Sequence, residues 1–216
     1  MRLKVKICCI KSPEEAQLAI AHGASALGLV STMPSGPGVI SEAVIARTAA
    51  TVPPPIATFL LTSEITAEAI IAQQRRCRTN TVQLCDYVSP VVYLHLREAL
   101  PGIGVVQAIH VTGPESLDLA VAAAPHVDAI PLDSGNPSLI TKELGGTGRT
   151  HDWALSRRIR DAIAKPLFLA GGLNAENVAE AIRAVQPFGI DLCSSVRTGD
   201  RLDATKLAAL FDALPN

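Results

Sequence analysis

Short runs of apolar and β-branched residues recur along the chain, opening at Leu3, Ala24, Ile56, Thr81, Gly104, Val127, Pro166 and Gly189. Within each run nearly every position is apolar rather than every second one, the pattern of parallel strands buried on both faces. The stretches between them have helical spacing and carry start signals. Ser12-Pro13-Glu14-Glu15 combines an N-cap, a first-turn proline and two acids, and Ser41-Glu42, Thr66-Ala67-Glu68 and Asn174-Ala175-Glu176 repeat the theme. Eight strand and helix units in 216 residues predict an α/β fold, a (βα)8 TIM barrel, rather than an open doubly wound sheet. No linker or low-complexity tract divides the sequence, so residues 1-216 are expected to form a single (βα)8-barrel domain. Aromatic residues make up only 3% of the chain, which predicts a barrel interior filled by branched aliphatic side chains.

One interval is too long for a plain connection. Behind the run VDAIPL the chain continues as DSGNPSLITKELGGTGR, Asp133 to Arg149, whereas most connections run about 4–6 residues and those beyond about 12–15 are functional or disordered. An acid at a strand end followed by a glycine-bearing loop fits an acid/base group under a lid hinged at Gly145, Gly146 and Gly148. In a barrel, functional groups gather at the C-terminal ends of the strands. Here those positions are Cys8 and Cys9, Ser31 to Ser35, Thr62 and Ser63, Cys85 and Asp86, His110, Asp133, Gly171 and Gly172, and Ser194 to Arg197. The last two groups resemble a phosphate cradle, because glycine lets backbone N–H groups approach an anion and the helix expected from Asn174 aims its positive end at the same place. Cys8 and Asp133 could divide base and acid roles if their environments separate their proton affinities. His110 is open between a structural and a site role, Trp153 reads as packing, and Cys9, Cys85 and Cys193 read as structural.

Hydrophobic residues are 48% of the chain, enough for a sizeable core, and the formal net charge is −1 with lysines and arginines scattered. That distribution gives no footprint for nucleic acid or an anionic membrane and favours a small-molecule partner. Met1 runs directly into the strand-like RLKVKICCI without a signal-peptide pattern, and no apolar run approaches the roughly 20 residues of a membrane span, so a cytoplasmic protein is expected. The five cysteines have no framework spacing and are expected as reduced thiols. No CxxC or His-x-His spacing supports a metal site.

Along nearly its whole length the chain resembles the phosphoribosylanthranilate isomerase family of tryptophan biosynthesis. The resemblance is carried by Lys6-Ile7-Cys8, Val82-Gln83-Leu84, Leu132-Asp133-Ser134, Gly145-Gly146-Thr147-Gly148, Asp152-Trp153, Leu169-Ala170-Gly171-Gly172-Leu173-Asn174, Glu176-Asn177-Val178, and Asp191 with Ser194 and Val196. It implies an Amadori rearrangement in which an acid protonates the furanose ring oxygen and a base removes the C2′ proton. Cys8 would be the base and Asp133 the acid. The phosphate of a phosphosugar substrate would rest on backbone at Gly171, Gly172, Ser194 and Ser195, with Gly146, Gly148 and Arg197 also at the substrate. No cofactor is implied, and the protein would act as a monomer or a homodimer.

Four places depart from the family pattern. Cys9 stands where the family has glycine, Gly36-Pro37-Gly38 where it has Ser-Pro-Arg, Cys85-Asp86 where it has His-Gly, and Ser195 and Arg197 where it has glycine and glutamate. The change at Gly38 removes the arginine expected to hold the anthranilate carboxylate, for which Arg197 or Arg149 is a candidate replacement. Alternatives are an isomerase or lyase acting on a different phosphorylated sugar, and a non-catalytic phosphometabolite-binding barrel.

Overall fold

Lys6 and Cys8 point one way from the first strand and Val5 and Ile7 the other, and that alternation organises the molecule. The structure, a computed structural model, describes residues 3–215. Its main sheet runs through β1 (Lys4–Ile7), β2 (Ala26–Val30), β3 (Ala57–Thr62), β4 (Thr81–Leu84), β5 (Gly104–Gln107), β6 (Ile109–His110), β7 (Ile130–Asp133), β8 (Leu167–Leu169) and β9 (Gly189–Leu192). All neighbours pair in parallel, and β1 bonds to both β2 and β9. β5 and β6 are two halves of one barrel strand, broken at Ala108, where the Gln107 side-chain amide donates to the carbonyls of Asp86 and Ala108. A bridge between Val106 and Ala129 completes an eight-strand barrel.

The helices α1 (Pro13–Ala21), α2 (Glu42–Ala50), α3 (Ala67–Cys77), α4 (Pro90–Ala99), α5 (Glu115–Ala123), α6 (Trp153–Ala162), α7 (Val178–Val185) and α8 (Ala204–Asp212) surround it. Ser12, Ser41 and Thr66 cap α1, α2 and α3 through their side-chain oxygens, as the sequence predicts. The start expected at Asn174 is corrected to Val178. Asn174 Oδ1 instead accepts from the N–H groups of Glu176 and Asn177, an Asx turn placed just before the helix.

The outward faces of the strands, with Ile7, Leu27, Leu29, Leu60, Ile130 and Leu132 fully buried, pack beneath the helices. Each such side chain contributes roughly 1.5–3 kcal/mol by leaving water. The inward face differs from the aliphatic filling expected. Three of the four phenylalanines gather there, Phe59 edge-on to Phe168 at 6.2 Å and Phe168 edge-on to Phe188 at 5.5 Å. Small inward residues, Ala26, Gly28 and Ala129, make room for the rings and for a polar centre. No helix among the described residues is long and apolar enough to cross a membrane.

Candidate active site

A cleft opens at the C-terminal ends of the strands, where small-molecule sites of barrels lie. Cys8, just past β1, and Asp133, the last residue of β7, both line it, and the strand order places β9 and β8 between them. Beneath Cys8 the ammonium of Lys6, fully buried, reaches Asp191 Oδ2 at 2.5 Å and lies 5.2 Å from the centre of the Phe59 ring. Burial alone would lower the proton affinity of Lys6, but Asp191 and the neighbouring thiols reverse this and raise it, while burial raises that of Asp191 against the opposing pull of Lys6. Asp191 Oδ1 has no partner and belongs to the cleft wall. Burial pushes the Cys8 thiol up to about 11, with Lys6 as the largest opposing influence.

Asp133 is fixed from both sides. Its Oδ1 accepts the Ser134 N–H at 2.7 Å, and the backbone of Gly145 comes so near that a Cβ there would sit 2.5 Å from Oδ2. The long loop after Asp133 is a braced cover. Ser134 and Thr147 hydroxyls are 2.6 Å apart, Glu143 N–H donates to Asn136 O at 3.1 Å, and Arg149 pairs with Glu143. Two neighbouring loops hold it down: Lys142 pairs with Asp86 after β4, and Ser35 Oγ after β2 donates to the Lys142 carbonyl at 2.7 Å.

Gly146, Gly148, Gly171, Gly172 and Ser194 share the cleft wall. The N–H groups of Gly171 and Gly172 donate to no acceptor among the described residues, leaving them free for an anion. Ser195 lies beyond this wall, in a separate depression beside Asn174 and Glu176. Arg197 is a correction. Its Nη2 donates to both Glu15 carboxylate oxygens at 2.8 and 3.0 Å and to the Asp200 carbonyl at 2.9 Å, so the buried guanidinium braces a hairpin of β10 (Arg197–Thr198) and β11 (Arg201–Leu202) against α1 and does not face the cleft. Arg149 is likewise engaged on its own loop.

The cysteines depart from the all-thiol expectation. Cys9 and Cys193 form a disulfide with Cα atoms 5.9 Å apart, while Cys8, Cys77 and Cys85 are free. Cys9 has φ of +62°, a left-handed conformation that costs a residue with a β-carbon roughly 1–2 kcal/mol and suits the glycine of the resembling family. The turn sends its sulfur to the cleft wall beside Cys193. A Cβ at Gly38 would stand 2.4 Å from Cys9 Cβ, so the absence of a side chain at position 38 and the presence of one at position 9 are one steric fact.

His110 Nε2 lies 2.8 Å from the Cys85 carbonyl, its ring backs Gly135 and its buried Nδ1 has no partner; the side chain is not part of the cleft lining. Lys6, which enters the sequence reading only as part of a motif, and His151, which the sequence does not single out, both stand at the site. The first was detectable, because period-two alternation puts a charge at position 6 on the same face as Cys8. His151 stands behind Gly171 with both ring nitrogens unpartnered, its proton affinity lowered by burial against the opposing pull of Asp133. No three His, Cys, Asp or Glu side chains among the described residues converge as a metal-ligand set.

A family model described as N-(5'phosphoribosyl)anthranilate (PRA) isomerase matches residues 5–213. The N-(5'-phosphoribosyl)anthranilate isomerase of Methanocella arvoryzae is 32% identical over 208 residues, covering 96% of this chain and 95% of its own. Among solved structures, a phosphoribosyl anthranilate isomerase in complex with reduced 1-(o-carboxyphenylamino)-1-deoxyribulose 5-phosphate superposes with a TM-score of 0.78 at 27% identity, covering 98% of both chains. Monomers generated from the dimeric enzyme of Thermotoga maritima superpose with a TM-score of 0.79 at 26% identity, again over 98% of both chains.

Proposed function

The chain belongs to the N-(5'-phosphoribosyl)anthranilate isomerase family, and on that premise we propose that Cys8 and Asp133 divide the acid and base work of its Amadori rearrangement. The enzyme converts N-(5-phosphoribosyl)anthranilate to the 1-deoxyribulose 5-phosphate product in tryptophan biosynthesis. Asp133 donates a proton to the furanose ring oxygen, the C1′–O bond breaks, and the nitrogen lone pair forms the open iminium. Cys8 takes the C2′ proton, giving the enolamine, which tautomerises to the ketose. Gly171, Gly172 and Ser194 hold the phosphate on backbone N–H groups, and the loop bearing Gly146 and Gly148 covers the sugar. No step calls on a cofactor.

What carries the assignment is that Cys8 and Asp133 face a single cleft from strands on either side of the unsatisfied Gly171 and Gly172 N–H groups. A cytoplasmic setting fits a biosynthetic isomerase, and the assembly is a monomer or a homodimer, which sedimentation distinguishes. In a fluorescence assay of phosphoribosylanthranilate consumption, Cys8→Ser and Asp133→Asn are each expected to lower kcat by about 10²–10⁴ with KM little changed. Turnover by the parent protein with either variant at full rate overturns the division of roles. No turnover by the parent protein overturns the isomerase assignment itself.

A further inference from the structure

We propose that this isomerase does not recognise the carboxylate on its substrate's aromatic ring with a cation, so that its substrate class is N-phosphoribosyl arylamines with or without that carboxylate. The inference rests on the isomerase function proposed above and specifies how the aromatic end is held.

Among the described residues, no lysine or arginine lines the cleft, whereas two carboxylates, Asp133 and Asp191, do. Four cations on the surrounding elements are paired with carboxylates: Lys6 with Asp191, Lys142 with Asp86, Arg149 with Glu143 and Arg197 with Glu15. The loop after β2 offers no root for another. Gly38 has φ of +85°, and a Cβ on it would lie 2.4 Å from Cys9 Cβ, 2.8 Å from Cys9 Sγ and 2.9 Å from Cys9 Cα. The last of these is backbone and the first is held in the Cys9–Cys193 disulfide, so the neighbour cannot step aside. A cation introduced from position 38 is therefore excluded by the same bridge that forms this part of the wall.

In place of a charge the cleft offers Val30, Met33, Pro37, Leu61, Leu144 and the disulfide sulfurs. Thioether and disulfide sulfur beside aliphatic carbon make a polarisable surface that favours an aromatic ring. An ionised carboxylate pressed into that surface without a partner would be costly, so it has to stay directed towards water. The phosphate anchors one end, the ring packs on sulfur and aliphatic carbon at the other, and the carboxylate adds little to affinity.

The test is a pair of calorimetric titrations of the intact protein with stable product analogues, which avoids the differing reactivity of the amines themselves. One probe is reduced 1-(o-carboxyphenylamino)-1-deoxyribulose 5-phosphate and the other is the same molecule with a plain phenylamino group. Kd values within about fivefold of each other are expected, since a charge-assisted contact would separate them by about 10–150-fold. Tenfold or more weaker binding of the phenylamino analogue overturns the inference and leaves the isomerase assignment standing. Failure of both probes to bind overturns the isomerase assignment as well.

Discussion

The base role proposed for Cys8 falls in a place poorly suited to negative charge. Burial raises its thiol from an ordinary value of 9.0 to about 11, and Lys6 only partly offsets the shift. A base must be deprotonated to work, so a raised value means the active fraction grows as pH climbs through it. In the free protein the rate of Cys8 alkylation by iodoacetamide, read by peptide mass spectrometry, is expected to rise about tenfold per pH unit from 7 to 9, without the plateau of a thiol titrating near 7. An alkylation profile that is flat across this range would show that Lys6 already holds the thiolate. Lys6 also carries structural weight. Lys6→Met leaves Asp191 buried without a cation, which costs about 3–5 kcal/mol, and the double variant with Asp191→Leu should recover much of it; urea unfolding of the three proteins reads the difference. At this scale the sequence was legible wherever one position sufficed. Cys8 and Asp133 stood at strand ends inside recognisable motifs, and the cleft lies where they meet. Arg197 was misplaced because its partner Glu15 lies 182 residues away, and sequence cannot rank a cleft against a helix flank at that separation. The Cys9–Cys193 pair was hidden for the same reason, at a separation of 184.

Among the elements, strand starts and the caps at Ser12, Ser41 and Thr66 followed from local chemistry, which is why they were readable. Asn174 misled because an Asx turn and an N-cap use the same side-chain oxygen on the same backbone groups. The cover over Asp133 was visible as a loop too long to be idle, but not its fastenings, which come from loops after β2 and β4. Asp86 is one of those fastenings, at a position where the related family carries glycine. Its pair with the half-exposed Lys142 is worth at most about 1 kcal/mol. Asp86→Ala is therefore expected to raise KM by up to about fivefold while kcat stays within about twofold, and steady-state kinetics on both parameters checks the split. A larger fall in kcat than in affinity would mean the cover positions Asp133 rather than merely closing over the substrate.

For the molecule as a whole, the eightfold alternation of runs and helices was enough to give the barrel, because each strand's outer face demands a helix to cover it. The inside was not legible in the same way: it is packed with phenylalanine around a buried ion pair, and only the closed geometry tells which of two alternating faces looks inward. The disulfide has a further consequence at this scale. β1 and β9 close the barrel by hydrogen bonds, and the Cys9–Cys193 bond closes the chain there covalently, so that residues 9 to 193 form a ring with two short tails. A ring cut once remains a single molecule. Limited proteolysis in the exposed Leu139–Ile140 tip of the cover should therefore yield one full-length band on a non-reducing gel and two fragments after reduction. Two fragments without reductant would mean that the ring is open in solution. While it is closed, a nicked protein loses no piece by diffusion, and its two halves can find each other again at the concentration of a tether rather than that of the solution.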